Sequence, residues 1–187
     1  MHTATPVSRT VLCALVSAAG LAGCAASPPG RQNGPAFDAV WQHHQTTINY
    51  FGLTALYTCD GLQEQVRSIL LYLGARPDLK VQQVGCDRGA NSPGHLASVQ
   101  ADFYTLAPAP DTAAGTVSAE WAPVTIKPMN PVWIGYGECE LLQQIKPVVT
   151  GDYSARDLHY HTACVPYDAG IADFDLDGEF PKTTASR

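Results

Sequence analysis

Four cysteines limit what this chain can fold into more than any other feature. Cys59 and Cys86 stand 27 residues apart, Cys139 and Cys164 stand 25 apart, and each pair brackets a helix-like run followed by a strand-like run. Two other cysteines, Cys13 and Cys24, belong to an apolar N-terminal segment and are set aside. In an oxidising compartment an even count of this kind reads as a disulfide framework. Four cysteines allow three connectivities, and the parallel between the two halves favours local pairing, Cys59 with Cys86 and Cys139 with Cys164. Closing loops of that length removes unfolded-state entropy worth about 3 to 4 kcal/mol each in the chain-entropy model. The competing reading, a metal or dithiol redox centre, wants ligands close in sequence as in C-x-x-C, a spacing this chain lacks.

The apolar run Val11 to Leu21 follows a basic residue, Arg9, and is too short to span a bilayer. It closes on Leu21-Ala22-Gly23-Cys24, which resembles the lipobox of bacterial lipoproteins. That resemblance implies a signal of residues 1–23, cut before Cys24, and a lipid on the Cys24 sulfur, palmitate among its acyl chains. Each buried methylene of such an anchor adds roughly 0.8 kcal/mol, so more than one chain holds stably. Ala25 stands where inner-membrane lipoproteins often carry Asp, which by the same resemblance favours the outer membrane, facing the periplasm. An ordinary secretory signal is the alternative. Residues 24–36 are rich in Pro, Gly and Ser and read as a flexible tether, 37–168 as one disulfide-braced domain and 169–187 as an acidic tail. A formal charge of −6 argues against a partner made of nucleic acid.

Within the domain, Leu62, Val66, Ile69, Leu70 and Leu73 mark one buried helical face, with Asp60 as the expected N-cap, Gly74 at the left-handed C-terminal position and Pro77 beyond it. Strands are expected at Ile48–Tyr57, Leu79–Val84 and Leu96–Leu106, then at Val117–Ile126, with an edge or bulge at Pro123, and at Ala155–Cys164. A second helix is expected over Glu138–Lys146, stopped or kinked by Pro147. Aligning Cys59 with Cys139 also aligns Leu62-Gln63 with Leu142-Gln143. The pattern predicts an α+β ferredoxin-like sandwich, βαββαβ with an extra hairpin strand. Two helices would cover one face of an antiparallel sheet, and two disulfides would brace it.

Two clusters invite a ligand. His159 and His161 share a strand face with Asp157, opposite Leu158 and Tyr160, and imidazoles so placed suit a transition metal if His43, His44 or His95 supplies a third ligand. Asp173, Asp175 and Asp177 followed by Gly178 match the first half of a calcium loop, but positions 9 and 12 are Pro181 and Thr184, which leaves a solvated acidic tail as the competing reading. Nucleophile-elbow, zinc-protease and phosphate-loop motifs are all missing. His43-His44 beside Trp41, with a carboxylate such as Asp60, is the remaining acid–base candidate.

The stretch Tyr57-Thr58-Cys59-Asp60-Gly61-Leu62, a helix ending Leu73-Gly74-Ala75-Arg76 and a later Gly85-Cys86 resemble small uncharacterised secreted proteins of proteobacteria, which implies export and paired cysteines and no activity. The leading expectation is a non-enzymatic envelope lipoprotein that needs no cofactor and binds an envelope protein or ligand through an open sheet face or edge. A periplasmic metal-binding protein using His159 and His161 comes second, and an enzyme of unrecognised class third.

Overall fold

The computed structural model describes residues 35–88 and 92–184. Its elements are β1 (Phe37–Phe51), α1 (Cys59–Leu73), β2 (Lys80–Cys86), β3 (Leu96–Pro108), β4 (Val117–Ile126), α2 (Cys139–Asp152), β5 (Arg156–Ala163) and β6 (Asp173–Thr183). The six strands form one antiparallel sheet in the order β2-β3-β1-β4-β6-β5. This is an α+β fold with two helices and two disulfides, Cys59–Cys86 and Cys139–Cys164, each tying a helix start to the far end of the following strand.

The ferredoxin-like specification does not describe that strand order. The chain instead runs βαββ twice, and in both units the third strand lies between the first and the second. The units meet where β1 and β4 pair over three residues, with Asp38 opposite Ser118. Ala39 and Ala119, Trp41 and Trp121, Cys59 and Cys139, Leu62 and Leu142, Gln63 and Gln143, Ala75 and Ala155, and Arg76 and Arg156 are all separated by one and the same interval. Asp38 and Ser118 share that interval as well, so a pseudo-two-fold axis passes between them.

One core lies between the sheet and the helices. Ile48 and Tyr50 of β1, Val99, Ala101 and Phe103 of β3, Val124 and Ile126 of β4, and Phe174, Leu176 and Phe180 of β6 pack there with Leu62, Val66, Ile69 and Leu70 of α1 and with Leu141, Leu142 and Ile145 of α2. The helices run side by side in the same direction. Tyr57, just ahead of α1, donates to Glu138, just ahead of α2, and toward the other end the Tyr153 hydroxyl donates to the Leu70 carbonyl at 3.0 Å.

Several expectations are corrected. β1 begins at Phe37 and ends at Phe51, well before Tyr57, because the Glu140 carboxylate takes the Leu53 and Thr54 amides out of the ladder at 3.0–3.1 Å. The α1 N-cap is Thr58, whose hydroxyl accepts from the Gly61 amide at 3.0 Å, so Asp60 sits inside the first turn. Gly74 takes the left-handed conformation as expected, at φ 108°. Helix α2 continues through Pro147 to Asp152; the proline removes one i to i−4 bond, and burial of Val148 and Val149 offsets that loss. Pro123 occupies a stretch of β4 that pairs with β6 alone, where one edge is free and a strand tolerates proline. The expected tail is the largest correction. Residues Asp173–Thr183 form β6, an interior strand whose Phe174, Leu176 and Phe180 are buried.

Candidate functional site

Side chains alternate across a strand, so the positions between the core residues face away from the helices. On β1 these are Phe37, Ala39, Trp41, His43, Gln45 and Thr47; across the ladder from them lie Leu106, Tyr104, Asp102 and Gln100 of β3. Beyond, on β4 and β6, come Val117, Ala119, Trp121, Pro181 and Glu179. Both helices lie on the other face, which leaves this one uncovered by them. At its centre, beside the pseudo-two-fold axis, Phe37, Ala39, Trp41, Leu106, Val117 and Ala119 form a small second apolar cluster.

An arginine caps a tryptophan on each side of that cluster. The Arg76 guanidinium lies 3.8 Å from the Tyr104 ring centroid and 5.6 Å from that of Trp41, and it donates to Asp78 through two bonds of 2.7 and 2.8 Å. In the second unit the Arg156 guanidinium lies 4.5 Å from the Trp121 ring and donates to Glu179 at 2.6 Å, while Phe37 stacks on Trp121 at 5.1 Å. His43 leans on Tyr104 at 4.9 Å and meets Asp102 at 3.0 Å. Asp78 is held below the usual carboxylate range, chiefly by its hydrogen bond from Arg76. Next to the first cap, Gln45, Lys80, Gln82, Gln100 and Asp102 line a depression of about 210 Å³.

The histidines and aspartates singled out from the sequence are only partly brought together. His159 stands opposite Asp177, His161 stands opposite Asp175, and His161 Nε2 lies 3.7 Å from Asp173. Leu158 and Tyr160 pack toward the core, as the alternation predicts. Asp157, expected beside the histidines, sits instead at φ 53° in a bulge that breaks the register between Arg156 and His159. Asp173, Asp175 and Asp177 alternate along an extended strand and so spread out; they do not wrap a centre as a calcium loop does. Burial, reinforced by Asp177, raises the Asp175 carboxyl, while the Thr125 hydroxyl, donating at 2.5 Å, lowers Asp177. Among the described residues no group of three or more His, Cys, Asp or Glu side chains is placed to hold a metal ion. The acid–base candidates separate too: His44 turns to the helix side, 2.9 Å from the Thr105 hydroxyl, His95 meets the Gly52 carbonyl at 2.6 Å, and Asp60 bonds Gln83.

A second surface forms where the loops meet at the disulfide end. The Gly52 amide donates to the His95 carbonyl at 2.9 Å, and the Thr54 hydroxyl accepts from the Tyr167 amide at 3.1 Å and donates to the Val165 carbonyl at 3.2 Å. These bonds gather Phe51, Leu56, Leu96, Tyr136, Tyr167 and Ile171, all exposed, with Tyr167 at 76% and Ile171 at 64%. Below them the Glu138 carboxyl is raised by burial, against the lowering effect of its bond from Tyr57. Burial and then Glu138 push the Tyr57 phenol well above its ordinary value. Sequence reasoning missed this rim because its residues come from three loops and from the ends of β1 and β3, and it missed the arginine caps because each joins residues far apart in the chain. The constant interval between the two Trp and Arg pairs was the available signal.

Comparison with protein-family models, with curated proteins and with solved structures finds no match. The lipobox and Cys24 lie outside the described residues, and among those described no helix is long and apolar enough to cross a membrane.

Proposed function

We propose that this chain is a lipid-anchored cell-envelope protein whose domain is a non-enzymatic module docking a protein partner at its loop rim. The rim carries the reading. Exposed large apolar side chains gathered on braced loops are the usual mark of a docking surface. About 45 Å of strand separates Phe37, where β1 begins, from Phe51 at the rim. Two disulfides accord with an oxidising compartment, and the Leu21-Ala22-Gly23-Cys24 segment supports attachment through Cys24, with the outer membrane favoured by Ala25.

The test is site-specific photo-crosslinking in the native cells, with the probe at Tyr167 or Ile171 and, for comparison, at Gln82. A discrete protein adduct from the rim alone, lost on Ile171→Asp, is expected. Equal adducts from both surfaces, or none from the rim, overturn the docking assignment. Cys24→Ser tests the anchor separately, since the variant should leave the membrane fraction.

A further inference from the structure

We propose that the partner segment seated on the loop rim is a basic amphipathic helix. The inference rests on the rim being the docking surface and specifies what docks there.

Tyr167 is presented under strain. Its backbone lies at φ 65°, in the left-handed region where a residue with a side chain is disfavoured, and its side chain is left in solvent. The Thr54 hydroxyl holds that conformation by accepting from the Tyr167 amide at 3.1 Å and donating to the Val165 carbonyl at 3.2 Å. Strain of this kind persists only where the surrounding structure over-determines it, and a tyrosine ring displayed on fixed backbone is a common anchor of protein interfaces.

The backbone beneath the anchors excludes one mode of recognition. Gln144 closes the end of β1 by accepting from the Phe51 amide and donating to the Phe51 carbonyl, both at 2.7 Å. The Gly52 amide is bonded to the His95 carbonyl, the Leu53 and Thr54 amides to Glu140, and the Leu96 carbonyl to the Asp87 amide at 3.0 Å. An extended peptide that adds as a strand needs such groups free. Recognition at the rim therefore falls to side chains, the mode in which an amphipathic helix lays its apolar face on a receptor.

Charge sets the sign of that helix. Asp168 follows Tyr167, Asp173 stands two residues after Ile171, and Asp87 is bonded across the ladder to Leu96; all three are exposed. No lysine or arginine stands within two residues of any of the six apolar anchors, and Arg88 alone adjoins one of the three aspartates in sequence. Arg76, Arg156, Lys146 and Lys182 are laid over the rings of Tyr104, Trp121, Tyr160 and Tyr72, none of which belongs to the rim. An apolar centre fringed by carboxylates matches an apolar helix face flanked by lysine or arginine, and it repels an anionic bilayer or a second copy of itself.

Fluorescence anisotropy of labelled peptides against the full chain in phosphatidylcholine nanodiscs, with empty discs as the blank, tests this. Three peptides of about fourteen residues share one helical spacing and carry leucine with lysine, leucine with glutamate, or serine with lysine on their two faces. The leucine–lysine peptide should bind at least about tenfold more tightly than either of the others. Tyr167→Gly removes the ring, suits the left-handed backbone and should weaken that binding about tenfold. Asp168→Asn, which keeps an acceptor for the Gly170 amide, combined with Asp173→Lys should erase the preference for lysine over glutamate. Asp111→Lys, beyond the end of β3 opposite to Leu96, changes nothing. If both leucine peptides bind alike and both depend on Tyr167, the rim docks and the basic helix is refuted. Equal binding of the serine–lysine peptide, or no binding of any peptide, also overturns the helix and leaves the rim to the crosslinking result. Binding indifferent to Tyr167→Gly overturns the helix and the rim assignment together.

Discussion

Removing the Glu140 carboxylate should cost more stability than its place in the first turn of a helix would suggest. The side chain is buried, accepts from the Leu53 amide at 3.0 and 3.1 Å and from the Thr54 amide at 3.0 Å, and has the Thr54 hydroxyl at 3.3 Å. Glu140→Ala leaves two half-buried backbone donors without a partner. An orphaned donor costs about 1–3 kcal/mol, and bonds to a charged acceptor lie at the upper end. Release from holding a carboxylate out of water returns part of that, so the expected net loss is about 3 kcal/mol. For a domain of this size it corresponds to a fall in Tm of roughly 6–12 °C. Glu140→Gln keeps one acceptor oxygen and should lose about half as much. The assay is urea unfolding of the oxidised protein, with the slope m unchanged. A loss below about 0.5 kcal/mol for Glu140→Ala would refute the claim that this carboxylate holds the chain where it leaves the sheet.

Two further outcomes are expected. Phe180→Ala should destabilise by about 3–5 kcal/mol because the ring is fully buried on an interior strand, whereas a mobile tail would register almost no change in the same unfolding assay. Glu138, whose carboxyl is raised in the fold by burial, favours the folded state most below its unfolded value, and that contribution is lost as pH rises through the folded value; Glu138→Gln should therefore flatten the unfolding free energy measured across the acid limb and gain stability at neutral pH.

The parts legible in the sequence were those whose signal is local. The disulfide pairing followed from two similar spacings, α1 from five apolar residues on one face, and β4 from its own composition. The inward turn of Leu158 and Tyr160 followed from simple alternation. The start of β1 was illegible because Gln42, His43, His44 and Gln45 look like a loop until half of them are seen to face away from the core. β6 was hidden by its aspartates, although Phe174 and Leu176 alternate with them as a half-buried strand requires. Where β1 stops depends on Glu140, far along the chain, and no local pattern marks it. The sequence did carry a repeat, in Leu62-Gln63 and Leu142-Gln143. What that pair could not convey is that the same interval also relates two tryptophans and two arginines.

The strand order has a consequence for how this protein behaves when crowded. The outermost strands are β2 and β5, the second strand of each unit, and these are the strands that end at or beside a disulfide, at Cys86 and Cys164. Each also carries an irregularity, between Gln83 and Gly85 and between Arg156 and His159. A flat, loose outer strand is a template on which another chain can polymerise; a bulged one, stapled to a helix, can neither lie flat nor peel away. The repeated unit therefore carries the same guard at both margins of the sheet, and neither margin presents a flat edge on which another chain could pair.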